Sequence, residues 1–258
     1  MSTIKFTQRT SIGNGRKTNQ DSLVAKQGDI LETQCGLFCI ADGVGGLAKG
    51  HRASAIAAQM VTQWWDSGLE PLAPDTLPNG PAVCHQLIKL FTAINQAIMD
   101  EAQLQGIRMG TTCSLLLVCG KSYYIAHAGD SRIYKIQRRL LPLTGSKIVL
   151  QTEDHSVEAE LQRQGASVTE IDANPQKNRI TSCLGYMEYP KIFTRVGRLK
   201  QNEAFVLCSD GVYNVVSPPE MVKLYTQDKQ HKNFANKLLE TALARETQDN
   251  ASVIVVTC

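Results

Sequence analysis

Four aspartates in this chain share one local setting. Asp42, Asp130, Asp210 and Asp249 each stand at the start or end of an apolar run, beside Gly, Ser or Asn. The clearest case is Leu37-Phe38-Cys39-Ile40-Ala41-Asp42-Gly43-Val44-Gly45-Gly46, where a strand-like run ends in one carboxylate and a glycine-rich turn. Such a turn admits close backbone approach to a ligand, because glycine has no Cβ. Carboxylates gathered at strand ends raise one another's pKa, and a hard divalent cation removes that repulsion. All-oxygen ligation suits Mg²⁺ or Mn²⁺ rather than zinc, which favours His and Cys. The five histidines show no paired spacing, and no Cys-x-x-Cys occurs. A single Asp-Gly is more often a turn than a ligand. The fourfold recurrence brings the metal reading level with the turn reading on residue chemistry alone.

The glycine turn also fits a nucleotide loop. Gly43-Val44-Gly45-Gly46-Leu47-Ala48 has the G-x-G-x-x-A form between a strand and a helix. Against this, Asp42 would repel a pyrophosphate, and the following helix leads into a proline-rich loop rather than a second strand. A P-loop fails because Gly50 is followed by His51-Arg52 rather than Lys-Ser. The H-C-x₅-R signature of cysteine phosphatases is absent, as is the G-x-S-x-G of serine hydrolases.

The elements that must position these aspartates are mostly short strands. Strand patterns cover 6–11, 22–26 and 37–41. A helix is expected over 50–65, with Ala53, Ile56, Ala57, Met60, Val61 and Trp64 on one face. Pro71, Pro74, Pro78 and Pro81 punctuate a loop. A second amphipathic helix carries Val83, Leu87, Leu90, Phe91, Ile94 and Ile98. Strands at 111–119 and 122–128 turn at Gly120-Lys121. A strand at 132–136 continues the meander to a turn at Arg138-Arg139. A helical stretch at 157–164 and an irregular segment through Asn174-Pro175 follow. Strands return at 191–196 and 204–209, then helices near 220–225 and 234–245, then a strand at 251–257. Hairpin-linked strands with helices in separate pairs indicate an α+β fold of antiparallel sheets covered by helices. No long linker or repeat divides the 258 residues, so one domain is expected.

The 43% hydrophobic and 20% charged fractions are those of a soluble globular protein. A net charge of +3, with no long basic run, argues against nucleic acid or membrane partners. No apolar window is long enough for a transmembrane helix, and the N-terminus lacks a signal-peptide core. The eight cysteines are therefore expected to be reduced, with Cys39, Cys113, Cys119 and Cys208 packing as small hydrophobes.

Seven motifs occur in one order along the chain. They are Arg16-Lys17-Thr18-Asn19-Gln20-Asp21-Ser22, Ala41-Asp42-Gly43-Val44-Gly45-Gly46, Gly110-Thr111-Thr112, Ala128-Gly129-Asp130-Ser131-Arg132, Asp154-His155-Ser156, Ser209-Asp210-Gly211-Val212 and Asp249-Asn250-Ala251-Ser252. The ordered set resembles the metal-dependent serine/threonine phosphatases of the protein phosphatase 2C type, most closely their compact bacterial members. The resemblance implies a four-layer α-β-β-α sandwich, two packed antiparallel sheets flanked by helix pairs. It implies that Asp42 bridges two Mn²⁺ or Mg²⁺ ions and that the Gly43 carbonyl completes one of them. Asp210 and Asp249 would hold the other ion, with Asp21 supporting through water. Asp130 matches the position for a third ion, and Arg16 matches the arginine that grips the substrate phosphate. The implied reaction is hydrolysis of phosphoserine and phosphothreonine in proteins by a water that the two ions activate, with the Arg16 fork offsetting phosphate charge.

This chain departs from the family pattern in several places. Gln20 stands where Glu is frequent, which predicts weaker hold on one ion. Val44 replaces the histidine of the animal enzymes, so the loop supplies no acid. Asn214 stands where an acidic residue is common, which bears on the third ion, and Ser182 stands where arginine is common. His155 is expected to be structural, at the entry to a flap covering about 156–179 that would influence substrate choice. A catalytically silent regulator that binds phosphoproteins is the rival reading, though such relatives normally lack one or more of the retained aspartates. The resemblance further implies a cytoplasmic monomer that opposes a serine/threonine kinase.

Overall fold

The computed structural model describes residues 3–30, 32–44, 47, 49–67, 80–137, 146–200, 202–228 and 232–258. The chain opens with β1 (Lys5–Ser11), β2 (Asp21–Ile30) and β3 (Thr33–Asp42), then α1 (Gly50–Asp66) and α2 (Gly80–Leu104). Next come β4 (Cys113–Cys119), β5 (Ser122–Ala128), β6 (Arg132–Gln137), β7 (Lys147–Leu150), α3 (Val157–Arg163) and α4 (Val168–Ala173). The last elements are β8 (Phe193–Arg198), β9 (Glu203–Cys208), α5 (Asp210–Tyr213), α6 (Pro218–Gln227), α7 (Phe234–Ala244) and β10 (Ala251–Thr257).

The strands form two five-stranded sheets, ordered β2-β3-β4-β5-β8 and β1-β10-β9-β6-β7. Neighbouring strands in both sheets are antiparallel. Alternation along each strand sorts its side chains between layers. On β3, Leu37, Cys39 and Ala41 pack under α1 and α2, whereas Phe38 and Ile40 point into the space between the sheets. On β9 and β10, Val206 and Val253 face α6 and α7, whereas Phe205, Leu207 and Ile254 meet the opposite sheet. Both faces of these central strands are buried, which is why they read as continuous apolar runs. Each fully buried large side chain contributes roughly 1.5–3 kcal/mol. Three apolar layers therefore hold the expected α-β-β-α sandwich together.

Several expectations need correction. The strand at 132–137 does not continue a meander; β6 pairs with β9 and β7 in the other sheet. The chain crosses between sheets at Gly129-Asp130-Ser131, and a crossing of that kind has no hydrophobic signature to betray it. The short strand β7 and the single-turn α5 were not expected. The segment before Asn174 contains α4, opened by a capping box between Ser167 and Glu170. Cys35 and Cys119 form a disulfide, against the expectation of eight thiols, because the β3–β4 register sets them opposite each other. Their separation of 84 residues hides that pairing from sequence spacing. The turn at Arg138-Arg139, Gly45, Gly46 and most of the proline loop lie outside the described residues. Among those described, no helix is long and apolar enough to cross a membrane.

Candidate metal and phosphate site

Antiparallel pairing brings the candidate residues to one end of the sandwich. Asp21 opens β2 and Asp42 closes β3, and the two are direct register partners. Asp130 lies between the end of β5 and the start of β6. Asp210 follows β9, Asp249 precedes β10, and Arg16 lies in the connection from β1 to β2. Arg16, Asp42, Gly43, Asp130, Asp210 and Asp249 all line one cleft of about 1020 Å³.

Gly110-Thr111-Thr112 braces the Asp42 turn. Thr112 donates its N–H to the Asp42 carbonyl at 2.8 Å, and its Oγ1 accepts the Asp42 N–H at 3.0 Å. Thr111 Oγ1 also donates to the Asp42 carbonyl, at 2.9 Å, and Val44 N–H donates to the Gly110 carbonyl at 2.9 Å. Gly43 N–H donates to the Gln20 carbonyl at 3.1 Å, tying the turn to the Arg16 segment. Backbone contact with α1 requires glycine here: a Cβ on Gly43 would lie 2.4 Å from the Gly50 carbonyl carbon.

A second brace orders the other half. The Asn250 amide donates to the carbonyls of Ile12 and Thr18 at 2.9 and 3.1 Å and accepts the Gln20 N–H at 2.8 Å. Buried Asn250 thus folds the Arg16 segment against the start of β10. Ser209 Oγ donates to Asp21 Oδ2 at 3.0 Å and accepts the Ser252 N–H at 2.9 Å. Arg16 forks onto Asp249, with Nε to Oδ1 at 2.7 Å and Nη2 to Oδ2 at 2.5 Å.

Asp130 is held through Gly129, whose φ of +114° only glycine adopts readily. Gly129 N–H donates to His155 Nδ1 at 3.2 Å, and His155 N–H donates to the Gly129 carbonyl at 2.8 Å. Ser131 Oγ meets Thr112 Oγ1 at 2.8 Å, joining the Asp130 crossover to the Asp42 brace. Burial pushes His155 down to about 3 and His127 to about 4, so both imidazoles are neutral at ordinary pH. His155 thus clamps the crossover through its ring nitrogen and its backbone N–H.

The electrostatics record the convergence. Burial, followed by the charges of Asp21, Asp210, Asp130 and Asp249, holds Asp42 well above the usual carboxylate range. Burial and Asp210 push Asp130 to about 7, and burial and Asp249 push Asp210 to about 7. Asp21 is raised chiefly by burial. Among the described residues, buried Asp21 Oδ1 and Asp210 Oδ1 have no hydrogen-bond partner. Anionic oxygens that lack donors and repel one another fit a divalent cation, and the donor set is all oxygen. No three His, Cys, Asp or Glu groups among the described residues already close into a metal cage. Asp249 instead takes its positive charge from Arg16.

The departures have local explanations. Ser182 Oγ accepts the Lys191 N–H at 2.8 Å, a backbone brace that needs no arginine. Gln20 acts through its backbone, its carbonyl accepting from Gly43 N–H and from Ser54 Oγ at 2.6 Å. Asn214 lines a smaller pocket beside Asp210 and Asp249. From the expected flap, Glu160, Asn178 and Arg179 line the cleft, with Tyr186 and Met187 beyond it. Sequence reasoning assigned no role to these cleft residues, nor to Asn250. The position of Asn250 directly after Asp249 was the available signal for the latter.

The family described as Protein phosphatase 2C matches residues 9–251. A putative protein phosphatase 2C-type of Streptococcus pyogenes is 30% identical, covering 98% of this chain and 97% of its own length. The serine/threonine phosphatase stp of Listeria monocytogenes is 28% identical over 96% of this chain and 93% of its own. Among solved structures, a bacterial serine phosphatase superposes with a TM-score of 0.85 at 26% identity, covering 98% of this chain and 97% of that one.

Proposed function

The chain belongs to the protein phosphatase 2C family, and on that premise we propose how its cleft carries out metal-dependent hydrolysis of phosphoserine and phosphothreonine in proteins. Asp42 and the Gly43 carbonyl would hold one ion, and Asp42, Asp210 and Asp249 the other, with Asp21 in support. Asp130 would serve a third. Manganese or magnesium bound there supplies an activated water and charge for the phosphate oxygens. The observation that carries this reading is the convergence of Asp42, Asp130, Asp210 and Asp249 on one cleft, where burial and neighbouring carboxylates raise the first three.

The chain's own groups divide the remaining work. Thr111 and Thr112 fix the Asp42 backbone, so the carboxylate need not reorganise when it meets a cation. Arg16 presents its fork to the phosphate once Asp249 has released it. Val44 has no proton to give, so the leaving oxygen takes its proton from water. We read the 258 residues as one catalytic domain with a flap at about 156–179. Glu160, Asn178 and Arg179 in the cleft support a flap role in substrate choice. By the family resemblance we further read the protein as a cytoplasmic monomer acting on phosphoproteins against a serine/threonine kinase.

Phosphate release from a phosphothreonine peptide on addition of Mn²⁺ tests the reading directly. Phosphopeptide binding without turnover under any divalent ion would identify the silent regulator instead. Arg16 provides a second test, because it serves both Asp249 and the phosphate. Arg16→Ala should raise the KM for the peptide by about tenfold or more, the worth of a charged hydrogen-bonded pair. It should also tighten Mn²⁺ binding in calorimetry, since Asp249 is no longer engaged. Arg16→Lys keeps the charge and loses the fork. It should therefore also tighten Mn²⁺ binding, whereas a purely Coulombic role for Arg16 would leave this variant at the wild-type affinity.

A further inference from the structure

A second pocket of about 500 Å³ adjoins the catalytic cleft, lined by Met99, Ile107, Arg108, Gly185, Tyr186 and Met187 among others. Tyr186 and Met187 line both spaces, so they form the wall between them. That wall is built rather than incidental. Asn95, 3% exposed on α2, accepts the Gly185 N–H at 2.7 Å and donates to the Met187 carbonyl at 2.9 Å. Gly185 presses so closely on α2 that a Cβ there would lie 2.1 Å from Ile98 Cγ2. Tyr186 is thus flanked on both sides by backbone anchored to Asn95, yet the residue remains 46% exposed. A large aromatic held rigidly in the open is an unusual use of apolar surface and a common form of anchor.

The chemistry of the pocket is apolar with one cation. Arg108 lies over the Tyr186 ring, 5.9 Å from its centroid. Arg108 has no ion pair among the described residues. A stacked guanidinium keeps its N–H edge free to bind a carboxylate bidentately. The cleft side of the wall is dominated by aspartates, with Arg179 of the flap among them, and Arg108 offers an anionic side chain a cation on the far side of that wall.

We propose that this pocket is a substrate subsite that receives an acidic side chain of the phosphoprotein, near the phosphorylated residue, on the Tyr186–Arg108 platform. The inference rests on the phosphatase reading and names its substrate class: phosphoserine or phosphothreonine in acidic sequence. Continuity with the cleft selects the substrate's own chain as the occupant. The wall shared by the two spaces places the acidic position on the substrate segment flanking the phosphorylated residue.

The test uses phosphothreonine peptides carrying Glu, Ala or Lys singly at each flanking position, with p-nitrophenyl phosphate as a substrate that has no flank. For the wild type, Glu at one position should raise kcat/KM about three- to tenfold over Ala, and Lys should lower it. Arg108→Ala should flatten that ranking and Arg108→Glu should reverse it, both leaving p-nitrophenyl phosphate hydrolysis unchanged. A wild type indifferent to the flank, or a preference that survives both variants, would overturn the subsite. Dimerisation lost in Arg108→Glu with no change in peptide ranking would do the same, assigning the pocket to a second copy. Peptide affinities from fluorescence anisotropy carry the same comparison without turnover. A protein that turns over neither the peptides nor p-nitrophenyl phosphate would thus defeat the phosphatase reading while the subsite is still judged.

Discussion

Asp42→Asn is expected to lower kcat/KM for a phosphothreonine peptide by about 10³-fold while raising the thermal stability of the metal-free protein. The two effects share one cause. The Asp42 carboxylate is confined by burial and faces the charges of Asp21, Asp210, Asp130 and Asp249. A neutral amide of the same shape removes that repulsion and can donate to its strand partner Asp21, so the metal-free fold gains. The same amide is a poor bridge between cations, and losing an electrostatic element aimed at the reacting phosphate costs about 10²–10³ in rate or more. Steady-state kinetics with Mn²⁺ and a thermal melt in chelator measure both. Retained activity within about tenfold, or a lower melting point in chelator, would show that Asp42 is not the centre of the site.

The second large effect is on metal affinity. Asp130 and Asp210 hold protons up to about pH 7 in the metal-free fold, and Asp42 and Asp21 are raised as well. A divalent cation must displace those protons. Apparent Mn²⁺ affinity should therefore rise by about tenfold per pH unit for each proton displaced, with the share due to Asp130 and Asp210 levelling off above about pH 7. Calorimetry in buffers of different ionisation enthalpy would count the protons released, and an affinity that is flat between about pH 5.5 and 7 would contradict the account.

Stability follows the same linkage. Between about pH 4 and 7 the folded protein retains protons on Asp130 and Asp210 that the unfolded chain has lost, so each of the two removes about 1.4 kcal/mol per pH unit as pH rises. His127 and His155, lowered to about 4 and about 3, act oppositely up to about pH 6.5, where the unfolded chain stops binding their protons. Their contribution is common to metal-free and metal-loaded protein. The stabilisation gained on adding Mn²⁺ should accordingly grow with pH throughout the range.

What the sequence made legible was whatever rests on local pattern. Continuous apolar runs exposed the central strands, and aspartates beside Gly, Ser or Asn at their ends exposed the carboxylates. The α+β class followed from where the helices fall, whereas the four-layer α-β-β-α order came from the family resemblance. What stayed hidden depends on long-range register. The Cys35–Cys119 pair and the Asn250 staple join segments far apart in the chain. The crossover at Asp130 looks locally like a hairpin, because both flanking strands are apolar and the turn is short. The Tyr186 wall depends on Asn95, a polar residue on the buried face of α2 whose partners lie about ninety positions away. The Arg16–Asp249 fork joins two residues that the resemblance had assigned to different partners, phosphate and metal.

The central claim is that one cleft of converging carboxylates makes the phosphatase activity depend on divalent metal. The most direct measurement strips the protein with chelator, then follows phosphate release from a phosphothreonine peptide as Mn²⁺ is added back in steps. No turnover is expected in chelator, and activity should climb with Mn²⁺ to a plateau as the cleft fills. Turnover that persists undiminished through complete chelation would contradict it.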